Sequence, residues 1–285
     1  MENLLEISGL CKRYPSFSLE NVSFSVTAGS IMGFIGENGA GKTTTLKLIL
    51  NEIRRDAGAI RIFGKDNIRD EIEVKKQIGV VFDESYFYEE MTAEDVGKIL
   101  KRVFSTWDEP LYKKYQKDFG LPQKKKIKEY SKGMKMKLSI ASAIAHHPRL
   151  LILDEATSGL DPVVRSDILD LFLDFIQDEG CSVLFSSHIT SDLERVADYV
   201  TFLHEGRVVF SKPKDELIDG CGVLKCGASK FSSLDKSGFL RWREGNSECE
   251  ALVADKDEAR RKYPGLVVDN ASLDEIMLLY VKGAG

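Results

Sequence analysis

Nowhere among its 285 residues does this chain hold an apolar run approaching the roughly 20 residues of a membrane-crossing helix. Work at a membrane would need another chain to supply the spans. Charge of one sign is lacking too: 40 Lys and Arg stand against 45 Asp and Glu, which leaves no global basic footprint for nucleic acid. Cysteine is sparse, and the odd, widely spaced set at 11, 181, 221, 226 and 249 gives no disulfide framework and reads as reduced thiols in a cytosolic setting. Cys221 and Cys226 lie close together, but no histidine follows His204 and their spacing is not a usual zinc knuckle, so they read as inert. The opening "MENLLEISGL" carries acidic residues where a signal peptide carries positive charge. Sustained heptads, internal repeats and low-complexity segments are missing as well. What is present, 43% hydrophobic and 30% charged residues, is an ordinary globular composition. The length predicts one large α/β domain with a smaller appendage.

Strand-like alternation runs through "LLEIS" (4–8), "LENVSFSV" (19–26), "SIMGFIG" (30–36) and "GAIRIF" (58–63). Between the last two, "GKTTTLKLILNEI" has helical apolar spacing, so strand, glycine-rich loop and helix follow one another. "QIGVVF" (77–82) is a further strand. From about 90 to 147 the texture is helical, opened by Thr92 with Asp95 as an acidic capping box. Strands return in "LLILDE" (150–155), "CSVLFSS" (181–187), "YVTFLH" (199–204) and "RVVF" (207–210). Helices fit the gaps, one ending on Gly180 and one opened by the box "SDLE" (191–194). Buried strands alternating with helices predict a mostly parallel, covered sheet with a helical insertion. Residues 1–214 are expected to form one domain. Residues 215–285, with three short strand candidates and the capped last helix "SLDEIMLLYVKG", are expected to form a small accessory α/β region.

"GENGAGKTT", Gly36 to Thr44, fits G-x-x-x-x-G-K-[ST] in full between a predicted strand and helix. Gly36, Gly39 and Gly41 let the loop's backbone N–H groups, those of Asn38 and Ala40 included, curl around phosphate oxygens. Lys42 adds a point charge and Thr43 a hydroxyl for Mg²⁺, and Thr44 stands in the first turn of a helix whose N-terminus favours anions. "LLILDEATSGLDP", Leu150 to Pro162, is a buried strand that delivers Asp154 and Glu155 to the same sheet edge. Asp154 is placed to hold Mg²⁺ through water, and Glu155 to orient and deprotonate an attacking water.

The order "GENGAGKTT", "YSKGM", "LLILDE", "SGLD", "SSH" resembles the ATP-binding cassette ATPases over about residues 4–215. The resemblance implies an α/β P-loop NTPase core with an N-terminal antiparallel β-subdomain and the helical insertion, and ATP and Mg²⁺ as ligands. It also implies that two cassettes pair head to tail, each ATP held between the phosphate loop of one and the signature of the other, here "YSKGM" (130–134). Ser131 and Gly133 keep the letters with a physical job, an N-cap hydroxyl and a backbone open to close approach; Tyr130, Lys132 and Met134 depart from the family spelling. By the same implication Tyr14 stacks on adenine, Asp161 communicates across the interface, and His188 contacts the γ-phosphate or the attacking water. Where the family usually carries a glutamine that senses Mg²⁺, this chain has Asp83, a carboxylate that can also ligate the ion.

The spelling further resembles bacterial exporter subunits that handle antimicrobial or amphipathic peptides. That implies a second cassette and membrane-spanning permease subunits as partners, a place on the cytoplasmic face of the cell membrane, and no nucleic-acid partner. A soluble cassette ATPase acting on ribosomes or DNA is the competing reading, opposed by the single cassette and the short insertion without heptads. Lys42, Asp154, Glu155 and His188 together oppose a catalytically dead cassette. "KKKIK" (124–128) reads as a solvated face.

Overall fold

Alternation at period two makes a long hairpin of the N-terminal residues. In the computed structural model, which describes residues 2–84, 86–245 and 248–284, strands β1 (Asn3–Tyr14) and β2 (Phe17–Thr27) pair antiparallel and β3 (Ile31–Ile35) ends at the glycine loop. Helix α1 (Lys42–Ile49), β4 (Ala57–Ile62), β5 (Lys65–Asp66), α2 (Glu71–Lys75) and β6 (Ile78–Val81) follow. The insertion is α3 (Ala93–Val103), α4 (Glu109–Asp118) and α5 (Lys132–Ile144), with its own core around Val96, Tyr112, Ile127 and Leu138. Then come β7 (Leu150–Asp154), α6 (Pro162–Phe175), β8 (Ser182–Ser187), α7 (Thr190–Val196), β9 (Tyr199–His204) and β10 (Arg207–Pro213). Among the described residues no helix is long and apolar enough to cross a membrane.

Strands β2-β1-β4-β5 form an antiparallel sheet, and β10-β9-β3-β8-β7-β6 a second sheet in which only the edge strand β10 runs antiparallel. The uninterrupted apolar runs of the central strands follow from burial on both faces. Ile31 and Ile35 of β3 pack with Leu151, Phe185 and the helices α5, α6 and α7, while Met32 and Phe34 face Ile152, Leu184, α1 and the hairpin sheet.

The last quarter of the chain adds β11 (Gly222–Cys226), α8 (Ala228–Phe231), β12 (Phe239–Glu244), β13 (Cys249–Val253), α9 (Lys256–Lys262), β14 (Val267–Asn270) and α10 (Leu273–Lys282). Their order β12-β13-β11-β14 is a split β-α-β arrangement. Leu224, Ala251 and Val253 face α8 and α9, whereas Val223 and Leu252 join the main core through Ile276 and Leu279 of α10. The accessory sheet therefore shares its inner face with the parallel sheet. Leu279→Ala should lower the unfolding free energy by about 3 kcal/mol. The two tryptophans read different parts, Trp107 in the insertion and Trp242 in β12; in a denaturant titration both signals should shift together. A shift confined to Trp242 would mean that the accessory layer unfolds by itself.

Several local expectations change. The Thr92–Asp95 box is present, as is a Ser272–Glu275 box on α10. "SDLE" is not a cap: α7 begins at Thr190 with no side-chain cap, so Ser191 lies inside the helix, where its hydroxyl accepts from Arg165 while Glu194 accepts from the Leu273 N–H. Helix α6 stops at Phe175, ahead of Gly180. Strand β14 lies in "GLVVDN", four residues too short to stand out by alternation.

Candidate functional site

Parallel pairing sends the C-terminal ends of β3, β7 and β8 to one sheet edge, where ligands of open α/β sheets bind. The glycine loop after β3 is the first neighbour there. Gly41 has φ 110°, and a Cβ on it would stand 2.6 Å from Leu19 Cδ2 and 2.7 Å from Phe17 Cζ. One on Gly36 would stand 2.4 Å from the Leu203 carbonyl oxygen, so both positions require glycine. Lys42 opens α1 only 6% exposed. Its ammonium donates to the carbonyls of Gly36 at 2.7 Å and Glu37 at 3.3 Å and lies 3.4 Å from Glu155 Oε1. A buried ammonium needs such partners. Phosphate oxygens entering the loop meet the same donors.

The turns after β7 and β8 close the cluster. Asp154, 4% exposed, accepts from Thr43 Oγ1 at 2.9 Å and from Ser186 Oγ at 2.5 Å. Register explains the second contact, since Asp154 and Ser186 are opposed across β7 and β8. Glu155 then leaves the strand at φ 53°, an unusual conformation for a residue with a side chain, with its N–H on the Ser186 carbonyl at 3.0 Å. This turn aims its carboxylate between two cations or donors: Oε1 toward Lys42 and Oε2 2.5 Å from His188 Nδ1. A carboxylate only accepts, so that contact puts the proton on Nδ1.

A cavity of about 600 Å³ joins Asn38, Gly39, Gly41, Lys42, Thr43 and Thr44 to Glu155 and to the exposed Asp83. A neighbouring one of about 670 Å³ runs from Asn38, Gly39 and Ala40 to Tyr14, which stands half-exposed at the end of β1. Tyr14 is thus a strand-end residue beside the phosphate loop. Among the described residues no cluster of three or more His, Cys, Asp and Glu side chains could hold a metal ion. An ion at Asp154 would draw on few protein oxygens, the Thr43 hydroxyl and the Asp154 and Asp83 carboxylates, with the rest from phosphate and water. That donor set suits Mg²⁺, which keeps several waters and takes one or two carboxylates.

Ser131, Gly133 and Asp161 do not line either cavity of their own chain. Ser131 is the exposed N-cap of α5 and accepts from the Met134 N–H at 3.2 Å. Gly133 sits beside Val164, where a Cβ would come within 3.3 Å, and the Lys132 ammonium rests against Gly159 of the "SGLD" turn. Asp161 caps α6 through the N–H groups of Val163 and Val164. Ser186 was not singled out in the sequence; its signal was the hydroxyl pair before His188 that follows the apolar run Val183–Phe185. Among the thiols, Cys226 lies opposite Cys249 across β11 and β13, and burial pushes the Cys221 and Cys226 thiols up from their usual range, as inert thiols require.

Comparison with known proteins agrees with this geometry. The family model described as ABC transporter matches residues 19–158. The bacitracin transport ATP-binding protein BcrA of Bacillus licheniformis is 34% identical over 220 residues, covering 76% of this chain and 72% of that protein. The lantibiotic transport ATP-binding protein SrtF of Streptococcus pyogenes is 32% identical over 214 residues, covering 74% and 92%. A solved ATP-binding subunit of an ABC transporter superposes with a TM-score of 0.69 at 30% identity, over 76% of this chain and 92% of its own. With the phosphate loop, the Asp154–Glu155 pair and His188 gathered at one sheet edge, this chain belongs to the ABC transporter family, as an ATP-binding and ATP-hydrolysing subunit.

Proposed function

We propose that the chain is the motor of an exporter, in which two cassettes close head to tail on two ATP molecules and hydrolysis reopens them. The observation that carries this reading is the convergence of two sets of contacts at one sheet edge, Thr43 on Asp154, and Lys42 and His188 on Glu155. Glu155 takes the proton of the attacking water, and His188 holds Glu155 in place and meets the γ-phosphate side. Lys42 and the backbone N–H groups from Asn38 to Thr44 bind the phosphates, and Tyr14 stacks on the base, worth about 1–3 kcal/mol. Mg²⁺ held by Thr43 and Asp154, with Asp83 at the rim, supplies charge neutralisation on the phosphates. The second cassette contributes Ser131 and Gly133 across the interface, and Asp161 carries the signal between the two.

Separate permease subunits would engage an apolar groove of about 360 Å³ between β6 and the helical insertion, lined by Val80, Phe82, Tyr86, Leu100, Phe104 and His146. The segment leaving this groove is fastened to the one entering the signature. The Ile127 N–H donates to Met91 at 2.9 Å and the Lys128 N–H to Glu89 at 3.0 Å. The ammonium groups of Lys126 and Lys128 each lie 2.7 Å from Glu90, and their hydrogen bonds hold its carboxyl down to about 2. The lysine run is thereby a fastening as well as a solvated face. A helix pressed into the groove would move Ser131 with it.

The bacitracin and lantibiotic transport relatives support an antimicrobial or amphipathic peptide as cargo. In this reading the chain works on the cytoplasmic face of the membrane. We take residues 1–214 as the nucleotide-binding unit and 215–285 as an accessory layer. The test is to isolate the protein from its native membrane and identify what copurifies. A polytopic hydrophobic subunit is expected; ribosomes or DNA without one would sink the exporter reading.

A further inference from the structure

Asp192 is a carboxylate beside the site that the hydrolytic reading does not use, and it is buried at 2% exposure. Its Oδ2 accepts from Thr157 Oγ1 at 2.7 Å, and its Oδ1 accepts from Arg165 Nε. Arg165 also donates from Nη2 to Ser191 Oγ at 2.9 Å. These partners come from three segments. Thr157, itself fully buried, is two residues beyond Glu155; Arg165 is in the first turn of α6, just after Asp161; and Asp192 is on α7, four residues beyond His188.

Local structure alone holds this region weakly. Helix α7 has seven residues and no side-chain cap. Glu155 sits in a left-handed conformation that a side chain disfavours, and such a conformation persists only where its surroundings enforce it. On one side the enforcement is the Glu155 N–H bond to Ser186. On the other it is the Thr157 hydroxyl on Asp192. Since β8 leads through His188 directly into α7, the same carboxylate that fixes the loop after Glu155 also fixes the helix after His188.

We propose that Asp192 is a positioning residue for hydrolysis: by clamping Thr157 and Arg165 it keeps Glu155 and His188 at hydrogen-bonding distance, and ties that pair to the helix that begins at the "SGLD" turn. This rests on the reading of Glu155 and His188 as the hydrolytic pair. The clamp also connects the pair to Asp161, so that a displacement of α6 at the cassette interface reaches the Glu155 turn through two hydrogen bonds.

The test uses the full chain and two isosteric substitutions, Thr157→Val and Asp192→Asn, with Thr157→Ser as the control. Thr157→Val removes the hydroxyl but leaves the Asp192–Arg165 pair intact, so the fold is kept; Thr157→Ser keeps the hydroxyl. Thr157→Val and Asp192→Asn should each lower kcat about tenfold, the scale of one lost hydrogen bond to a buried charge, while the KM for ATP changes less than about twofold. Thr157→Ser should turn over close to the unmodified rate. In a His188→Ala background Thr157→Val should cost nothing further, because residues that act as one unit are non-additive. Thr157→Val at the unmodified rate, beside an impaired His188→Ala, overturns the proposal alone. Losses that multiply in the double variant overturn it too, since they mark a general destabilisation. A His188→Ala protein at full turnover overturns the hydrolytic reading itself.

Discussion

Glu155→Gln should lower steady-state ATP turnover by about a thousandfold, the middle of the range for a lost general base. Glutamine has the same shape and keeps one oxygen for the Lys42 ammonium, which lies 3.4 Å from Glu155 Oε1, and its amide N–H can donate to His188 Nδ1 once the imidazole proton shifts to Nε2. It cannot accept the proton of an attacking water. It also removes one negative charge from the cavity that Glu155 shares with Lys42 and Thr43, so ATP affinity should hold or rise. If two cassettes pair as proposed, binding without hydrolysis leaves them closed, and the variant should sediment as a dimer with ATP and as a monomer without it. Turnover at the unmodified rate would show that Glu155 is not the base.

The second large effect is at Ser131. Arginine there should reduce hydrolysis by about a hundredfold or more, the scale of losing a preorganised contact to transition-state charge. Binding of ATP to the isolated chain should be spared, because Ser131 does not line the cavity that holds Lys42. The variant loses the cap on the Met134 N–H and puts a cation at a helix N-terminus, costing about 1–2 kcal/mol of stability. Ser131→Ala measures the cap: it loses the same hydrogen bond without the bulk, so its loss of unfolding free energy, set beside that of Ser131→Arg, separates stability from turnover. Should Ser131→Arg hydrolyse ATP normally, "YSKGM" would be only a capped helix.

Most of the phosphate site was legible because its parts are contiguous. Nine residues from Gly36 to Thr44 specify a loop, a cation and a hydroxyl, and four apolar letters before Asp154 specify a buried strand ending on carboxylates. Apolar runs and alternation also showed most strands, β5 and β14 excepted, since a strand buried on both faces is apolar up to its ends. Contacts between distant segments had no such signature. Ser186 is 32 residues from the Asp154 it serves, and Asp192 is 35 from Thr157. "SDLE" has the letters of a capping box, and local hydrogen bonding would make it one; instead Ser191 accepts from the Arg165 side chain, 26 residues away, and Glu194 from the Leu273 N–H, 79 residues away.

Hydrophobic period and short motifs therefore determine which elements form, which loop meets phosphate and which residue types are on hand, because these depend on neighbours within a turn or two. Which of those residues touch is decided when parallel strands align their ends. That register sets Asp154 against Ser186, turns Glu155 between Lys42 and His188, and joins the inner face of the accessory sheet to the main core. No local pattern encodes these pairings, since each depends on burial that two remote segments achieve only together.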